Sequence, residues 1–542
     1  MKRTISRTGC AAVCITLSLA LGCGCALMPP ASGVPGSSST AASIPTNADG
    51  EPLYDPATLD DGRLRALYSS DGTGSTTILR GSKVVYQASS SENVSLLQDS
   101  ATNETNYWFR SWSDATGRGG RRSALYDADG TEVMTFDGEQ SATLQNGILV
   151  LQETALVDGE YQDYYSYGSC QVVDLATGES LPVPEGAYSC IVCGDRLVFT
   201  CYARPADLAA DAWDSDDTLH RWVVVQQRDG TQLYRADAAS AYRLYDAANE
   251  LADWVELDII DTAADTTSQF LYNTATGERL AGFRQAYAGG TASFATDDDR
   301  YELRDLTTED RGVIGTFDDQ PSHYFPGYVV LWRWDEDRGS FLYNLETGET
   351  TPLYEVDATG NSIAVYAKDG TLRVYDLDTG KLLADTTVEP VENQQSALMN
   401  NCGNGYVWLE LRDNDGFETT ATRLYGPDGL VADLTRLQDT YNYMNYLTTD
   451  ADGKPLFYGT RDAAGTAYGT VSDVLDTDGN VVIANLGSCY GYYYNSLNGL
   501  PEHAFAAQRG FYTGWMDASG KWIYCQSIFA SVNADDEPNY GY

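Results

Sequence analysis

One pattern of regularly spaced turn residues recurs along most of the chain and restricts the folds that the chain can adopt. Short runs of β-branched and aromatic residues alternate with turns built from Asp and Gly, which is typical of antiparallel β-structure. The clearest example is IAVYAKDGTLRVYDLDTGKLL, residues 363–383, where Gly370 and Gly380 can supply the positive φ of two tight turns. Residues 329–354 repeat the same plan of three strands joined by turns.

Similar turns follow at nearly regular intervals. Their marker glycines are Gly130, Gly178, Gly230, Gly277, Gly348, Gly380, Gly429, Gly479 and Gly520. Most successive gaps are 41–52 residues, close to one four-stranded propeller blade. The two unusual gaps, 71 and 32 residues, together approach two blades, which indicates a shift in register and no lost repeat. Because such small sheets cannot bury both faces alone, we expect an all-β fold in which they stack around an axis as a β-propeller.

The number of blades follows less directly from the spacing. At this spacing residues 60–530 hold nine to ten units, more than the usual four to eight blades. Either some units are hairpins within larger blades, or the array has an unusually large number of blades. We expect eight blades, within a range of seven to ten.

The DxxTG signatures resemble the blades of WD40-like and PQQ-like propellers, and the resemblance covers about residues 60–530. PQQ-like enzymes carry tryptophans at fixed positions after the turn. No tryptophan stands at those positions after Gly178, Gly277, Gly348 or Gly380, so the resemblance does not extend to a quinone cofactor. Residues 473–483 and 510–524 are similar to WG-type hairpin repeats of bacterial surface proteins, which have no assigned chemistry.

The first 22 residues have the features of an export signal. Lys2, Arg3 and Arg7 precede an apolar stretch, Cys10–Leu21, that is too short to span a bilayer. The run LALGC, residues 19–23, resembles the lipobox of bacterial lipoproteins, in which the cysteine is acylated with fatty acids such as palmitate. The resemblance implies that Cys23 is the lipidated residue. The alternative is an ordinary secretory signal that is cut near Ala26.

The rest of the chain divides into two parts. Residues 23–59 are rich in Pro, Ser, Ala, Thr and Gly without apolar periodicity, which predicts a flexible tether. Residues 60–542 are the expected repeat domain. No later stretch reaches about 18 consecutive apolar residues, so we expect attachment to the membrane through the lipid anchor alone. These features predict a lipid-anchored protein on the extracytoplasmic face of the cell membrane.

The charge balance argues against one class of partner. The chain has 78 Asp and Glu against 34 Lys and Arg, a formal net charge of -44. So negative a surface repels nucleic acid and anionic lipid headgroups. We therefore expect no nucleic-acid partner.

Signatures of catalysis are sparse. His220, His323 and His503 have no neighbours at metal-ligand or triad spacing, and the sequence has no HExxH, GxSxG or Walker motif. Carboxylates can still act as acid and base, as in glycosidases, but among 78 acids no pair stands out. We assign no catalytic residue and keep a carbohydrate-active hydrolase or lyase as an alternative.

Metal binding is weighed at two kinds of motif. Four DxDG-like strings begin at Asp127, Asp413, Asp450 and Asp476, but none supplies the further ligands of a calcium loop. An Asp before Gly also favours a hairpin turn, because its carboxylate accepts backbone N–H groups. Four cysteines fall within Cys170–Cys201, yet only Cys190 and Cys193 are close in sequence, which favours a disulfide or buried thiols over zinc. We expect no cofactor, and adventitious calcium is left open.

Tyrosine is abundant, with 38 residues, and some of it is clustered. Tyrosine rings suit sugar stacking and protein hot spots, although strands also use them for packing between blades. The candidate binding residues are Tyr441, Tyr443, Tyr446, Tyr492, Tyr493 and Tyr494.

The anchor, the repeats and the sparse catalytic motifs together predict a binding module. Its partner at the cell envelope is expected to be a protein or a glycan. Besides the hydrolase or lyase, one further alternative is an envelope assembly scaffold, similar in idea to the propeller lipoprotein that assists outer-membrane barrel insertion.

Overall fold

The computed structural model describes residues 45, 51–59, 61–68, 76–88, 92–113, 121–157, 164–207, 217–244, 250–261, 264, 266–334, 339–413, 419–463, 469–490 and 500–527. All of them belong to one compact unit that spans residues 41–542. This part of the chain is all-β, with 42 strands and three short 3-10 helices. The helices are η1 (Pro56–Leu59), η2 (Asp217–His220) and η3 (Thr435–Asp439). No helix of the described part is long and apolar enough to cross a membrane.

Consecutive strands pair antiparallel into meanders, which we number as sheets 1 to 11 in chain order. Sheet 1 contains β1 (Leu64–Tyr68), β2 (Thr76–Arg80) and β3 (Lys83–Gln87). Sheet 2 contains β4 (Glu92–Gln98), β5 (Thr105–Ser113), β6 (Arg121–Asp127) and β7 (Glu132–Asp137). Sheet 3 contains β8 (Gln140–Gln145), β9 (Ile148–Val157), β10 (Tyr164–Asp174) and β11 (Glu179–Ser180). Sheet 4 contains β12 (Ala187–Cys193), β13 (Arg196–Tyr202), β14 (Arg221–Gln227) and β15 (Gln232–Asp237).

The middle sheets continue the plan. Sheet 5 contains β16 (Ala239–Tyr242), β17 (Trp254–Asp261), β18 (Thr266–Asn273) and β19 (Arg279–Ala281). Sheet 6 contains β20 (Phe283–Tyr287), β21 (Thr291–Ala295), β22 (Tyr301–Asp305) and β23 (Val313–Phe317). Sheet 7 contains β24 (Gln320–Phe325), β25 (Tyr328–Arg333), β26 (Gly339–Asn344) and β27 (Thr350–Thr359). Sheet 8 begins with the same β27 and adds β28 (Ser362–Ala367), β29 (Thr371–Asp376) and β30 (Leu382–Thr387).

Three sheets complete the described part. Sheet 9 contains β31 (Ser396–Gly403), β32 (Tyr406–Arg412), β33 (Thr419–Gly426) and β34 (Gly429–Asp433). Sheet 10 contains β35 (Tyr443–Thr449), β36 (Pro455–Asp462), β37 (Thr470–Leu475) and β38 (Val481–Leu486). Sheet 11 contains β39 (Ser488–Tyr490), β40 (Ala504–Arg509), β41 (Tyr512–Asp517) and β42 (Trp522–Ser527).

Each sheet packs face to face on the next one. Val172 of sheet 3, for example, shares an apolar core with Leu197 and Phe199 of sheet 4. Similar cores join all the other consecutive sheets. The middle strands are therefore buried on both faces, and all six residues of β28 are buried. A single sheet cannot provide such burial, so the stability of each sheet depends on its neighbours.

The first sheet also packs against the last one. Leu67 and Leu79 of sheet 1 share a core with Trp515 of sheet 11. The Thr77 Oγ1 donates to Gln526 Oε1 across the same boundary, over a distance of 3.0 Å. Part of the predicted tether joins this contact, because Tyr54 packs its ring 5.2 Å from that of Tyr524.

The marker glycines fall where the pattern predicted. All nine stand at the turn between the third and fourth strands of a sheet, and all have positive φ. The described part forms ten hydrogen-bonded sheets, and the one with seven strands consists of sheets 7 and 8, which share β27 and which we count separately. The stretches similar to WG-type hairpins form β37–β38 and β41–β42, ordinary parts of sheets 10 and 11.

The interpretation of the two unusual gaps was wrong. The interval from Gly277 to Gly380 contains the turns of sheets 6, 7 and 8, three sheets where two were predicted. The spacing of marker glycines does not reveal sheet 6, because in its turn between β22 and β23, residues 306–312, Arg311 adopts φ 51 where other sheets use Gly. The short gap arises because β27 is shared between sheets 7 and 8.

Candidate binding site

The meander topology gives the sheets two different sides. Connections between strands one and two, and between strands three and four, lie on one side, which we call the turn side. Connections between strands two and three lie on the other side together with the links between sheets, and we call it the loop side. The marker glycines therefore all lie on the turn side.

Aspartate side chains stabilise the turns of the turn side. The Asp476 Oδ1 accepts the backbone N–H groups of Asp478 and Asn480 at 2.9 and 2.8 Å. In the DxxTG type of turn, the Asp376 Oδ1 accepts the backbone N–H and the hydroxyl of Thr379. These bonds lower the pKa of Asp376. Asp thus recurs before Gly because its carboxylate replaces water on the backbone of the turn.

The same kind of bond occurs in the DxDG strings that were considered as calcium loops. Asp127 and Asp450 each accept two backbone N–H groups of their own turn, as Asp476 does. The string that begins at Asp413 extends into residues outside the described part. Among the described residues, no group of three or more His, Cys, Asp or Glu is placed to hold a metal ion.

Asparagine side chains connect the turns of neighbouring sheets. The Asn146 Nδ2 of sheet 3 donates to the carbonyl oxygen of Gly194 in sheet 4, at 3.2 Å. The Asn404 Nδ2 of sheet 9 donates in the same way to Gly453 of sheet 10, at 3.3 Å. Both asparagines have φ 51, a conformation that Asn tolerates better than most residues. At these two boundaries a hydrogen bond therefore runs from one turn to the next.

Connection lengths on the turn side create a groove over sheets 2 to 5. The turns between the first two strands have only two residues in sheets 3 and 4, at 146–147 and 194–195. The corresponding connections in the flanking sheets are longer, at 99–104 in sheet 2 and 243–253 in sheet 5. Two low turns between two long connections leave a depression, which we call the turn-side groove. It consists of two adjoining pockets that share Asn146.

Pocket A has a volume of about 310 Å³ and lies against the long connection of sheet 5. Its wall combines apolar residues with the polar groups of Ser100 and Asn146, and Arg243 is its one charged lining residue. The apolar lining includes Ala101, Ile191, Leu244, Leu251 and Trp254. Gly194 lies at the floor with φ 57, and a Cβ there would stand 2.1 Å from the Asp253 carboxylate. Glycine suits this position because of its positive φ, and it leaves room for the Asp253 carboxylate.

Pocket B has a volume of about 390 Å³ and lies over sheets 2 to 4. Its lining includes three carboxylates, of Asp99, Glu104 and Asp174, and one guanidinium, of Arg228. The Asp99 carboxylate accepts the backbone N–H groups of Asn146 and Gly147, which joins the turns of sheets 2 and 3. The Arg228 Nη1 stands 3.4 Å from the Asp174 Oδ2. Pocket B is therefore acidic, whereas pocket A is not.

Three of the predicted binding tyrosines lie in or next to sheet 10. Tyr441 is buried, and its hydroxyl donates to the Asp473 Oδ2 at 3.2 Å. Tyr446 is partly buried with its ring 6.4 Å from that of Phe457. Tyr443 is 52% exposed, which leaves its ring open to solvent. The structure does not bring these three rings into the turn-side groove.

The other predicted site residues lie outside the described residues. They are Cys23, the predicted lipidation site, and Tyr492, Tyr493 and Tyr494. In the sequence, the three tyrosines stand between β39 and β40.

The described cysteines are free thiols, one of the two predicted outcomes. All seven are buried: Cys170, Cys190, Cys193, Cys201, Cys402, Cys489 and Cys525. Burial raises the pKa of Cys170, Cys193 and Cys201 to about 12. These thiols are therefore protonated at neutral pH and are poor nucleophiles.

One pair of carboxylates stands out that the sequence did not single out. Glu256 and Asp258 are two residues apart on β17 and so share one face of the strand. Burial, and then the charge of Asp258, raise the pKa of Glu256 to about 7. Burial also raises the pKa of Asp258. Neither residue lines pocket A or pocket B.

The groove residues were missed because none belongs to a motif with a chemical signature. Asp174 begins a marker turn, so its position was visible, but its role in a pocket was not. Arg243 begins, and Trp254 follows, an eleven-residue connection of the turn side at 243–253, and that length was the available signal.

Comparison with protein families gives one match. A model for a domain of unknown function, DUF5046, matches residues 271–536, just under half of the chain. The match begins in sheet 5 and covers the sheets that follow. No curated protein matches the sequence.

Comparison with solved structures gives distant matches. BamB from Moraxella catarrhalis is 9% identical, with 66% of this chain and 92% of that chain covered and a TM-score of 0.26. AztD from Citrobacter koseri is 12% identical over 60% of this chain and 94% of that chain, with a TM-score of 0.26. Sqt1 from Saccharomyces cerevisiae is 10% identical over 65% and 97%, also with a TM-score of 0.26. Matches as loose as these support no inference about function.

Proposed function

We propose that the chain is a binding module of the cell envelope, a lipid-anchored β-propeller that holds a protein partner in the turn-side groove. The observation that carries the proposal is the pair of adjoining pockets between two long connections. Ligand sites are concave, mix apolar walls with a few polar groups, and often lie on connections that a rigid scaffold positions.

The closed form of the propeller is part of the proposal. Its support is the core that Leu67 and Leu79 share with Trp515, together with the hydrogen bond from Thr77 to Gln526. With eleven sheets, each packed on the next and the first packed on the last, the ring would have eleven blades. A closed ring leaves only short strand edges at the perimeter and gives the groove a rigid base.

The location rests on the sequence. The basic start, the short apolar stretch and the cysteine at position 23 support export and lipidation. A Cys23→Ala variant should lose its lipid and move from the membrane fraction to the soluble fraction. Mass spectrometry of the mature N-terminus would identify the acyl chains directly, and an unmodified Cys23 would reject the anchor.

Binding is favoured over carbohydrate-active catalysis by the position of the acids. Glycosidases place two carboxylates in a pocket around the scissile bond. Glu256 and Asp258 lie outside both pockets. The acids of pocket B are largely engaged, since Asp99 bonds to backbone N–H groups and Asp174 faces Arg228.

A photo-cross-linking experiment in living cells tests the binding function. A benzophenone amino acid is placed at Ala252, an exposed residue that lines pocket A, or at Val313, an exposed residue of β23 that serves as control. We expect one protein to be captured from position 252 and not from position 313. Capture only from position 313 would move the site elsewhere. Capture from neither position, with no binding on a glycan array, would reject the binding function.

A further inference from the structure

We propose that the turn-side groove recognises a basic segment of its partner, with a lysine or arginine side chain in pocket B and an adjacent apolar side chain in pocket A. This inference rests on the proposed binding function and adds the chemistry of the partner. It uses the difference between the lining residues of the two pockets: pocket B has three acidic lining residues and pocket A has none.

Charge in pocket B favours a cation. Three carboxylates line it against one guanidinium. Arg228 already places its guanidinium beside Asp174, so the pocket accommodates a group of this shape and charge. Glu104 is exposed at the mouth and accepts one hydrogen bond, from the Asn106 amide at 3.0 Å. An incoming cation would find acceptor capacity on Glu104 without displacing Arg228.

The shape of pocket B favours a long side chain. Its lining also includes Tyr107, Leu144 and Leu175, which provide apolar surface next to the acids. Lysine and arginine bury their methylene stems on such a surface while the charged end reaches polar groups. A small inorganic cation would gain nothing from these apolar walls.

Pocket A favours an apolar neighbour on the same segment. None of its lining residues is acidic, although the Asp253 carboxylate lies beside Gly194, and the lining includes Ile191, Leu244 and Leu251 together with Arg243. Because Asn146 belongs to both pockets, two side chains of one segment can fill them together. The net charge of -44 would also steer a basic segment toward the protein.

A protein segment fits the groove better than a glycan does. Sugar rings bind on open aromatic faces. The aromatic rings that line the groove are those of Tyr107, which is partly buried, and Trp254, which is 6% exposed. Neither presents an open face, whereas aliphatic walls and carboxylates match amino-acid side chains.

The test is a selection of phage-displayed random 12-residue peptides on the full-length chain, followed by affinity measurements on the selected peptides. The key variant is Ala176→Lys, which places a lysine of the chain itself at an exposed position in the lining of pocket B. The matched control is Ala275→Lys. Ala275 occupies the same place in the turn of sheet 5, is also exposed, and lines neither pocket.

We expect the selected peptides to share a basic residue close to an apolar one. Their affinity should fall at least tenfold on Ala176→Lys and stay within twofold on Ala275→Lys. Basic peptides that merely bind the acidic surface would lose equally little affinity on both variants, and this result would overturn the inference. Selection of peptides without a basic residue, or of none, would also overturn it. The binding function would survive these failures if the cross-linking from Ala252 still captured a protein.

Discussion

The turn side and the loop side of the sheets differ in how strictly they repeat. On the turn side, the connections between strands three and four have two to seven residues; eight of them carry a marker glycine with positive φ, and in sheet 9 the glycine, Gly429, directly follows the connection. On the loop side, the connections between strands two and three range from two residues, at 510–511, to eighteen, at 203–220. The connections between strands three and four preserve the geometry by which one sheet packs on the next. The loop-side connections tolerate variation, as do the turn-side connections between strands one and two, which have two to thirteen residues.

The groove lies on the turn side, where the connections between strands one and two differ in length from sheet to sheet. It exists because sheets 2 and 5 lengthen a connection that sheets 3 and 4 keep at two residues. A local departure from a strict repeat produces a concave surface, while the repeated bonds around it hold that surface in place. Asn146, which connects sheets 3 and 4, lies at the boundary between the two pockets.

The comparison between the two sides is tested most strongly by a pair of glycines. Gly380 on the turn side has φ 67, and a Cβ there would stand 2.0 Å from the carbonyl oxygen of Pro326 in sheet 7. Gly510 on the loop side has φ 59 and open space around that position. Ala at Gly510 should cost about 1 kcal/mol from backbone strain alone, and Ala at Gly380 about 3 kcal/mol or more. Urea unfolding of both variants measures the difference, and equal costs would remove the distinction between the sides.

The pH dependence of stability tests the environment of Glu256, which lies on a strand between the turn side and the loop side. Because the folded chain holds the pKa of Glu256 at about 7, it retains a proton that the unfolded chain releases near pH 4.5. The stability that comes from protonated Glu256 should therefore fall as pH rises from 4.5 to 7, by about 2–3 kcal/mol. Glu256→Gln should remove this loss in urea titrations at pH 5 and pH 8. The exposed Glu349→Gln serves as control, and identical pH profiles for all three proteins would contradict the account.

The bond between neighbouring turns has a smaller expected effect. Asn404→Gly keeps a conformation with positive φ and removes the amide that donates to Gly453. Asn103→Gly changes the same residue type at φ 57, where the side chain does not join two sheets. We expect Asn404→Gly to cost about 1 kcal/mol more in the free energy of unfolding. If the two variants lose the same stability, the bond between turns adds nothing.

The sequence predicted the elements whose chemistry is local. Gly370 and Gly380 marked the two turns that β28, β29 and β30 use, because a tight turn needs a residue that accepts positive φ. It failed at sheet 6, where Arg311 takes such a conformation without glycine. It also failed at β27, because no residue pattern in the sequence indicates that one long strand belongs to two sheets.

The groove could not be predicted for a different reason. Its lining brings together residues about one repeat apart in sequence, such as Asn146 and Gly194. Neither residue belongs to a motif that indicates a pocket. Sequence composition instead directed attention to tyrosines, and Tyr441 is used for packing and for a hydrogen bond to Asp473. Abundant aromatic residues reflect the demand for apolar surface between eleven small sheets.

Closure of the ring is the central claim, and cross-linking between the first and last sheets tests it most directly. Thr77 and Gln526 are 449 residues apart in sequence, yet their side chains are hydrogen-bonded across sheets 1 and 11. In a Thr77→Cys, Gln526→Cys variant, a short bifunctional thiol reagent, which spans the length that the Gln526 side chain covers in the native contact, should link the two positions, and the described native thiols are too buried to compete. Digestion and mass spectrometry should then find the two peptides joined. A folded double variant whose two cysteines remain unlinked would show that sheet 1 does not meet sheet 11, and the closed propeller would be wrong.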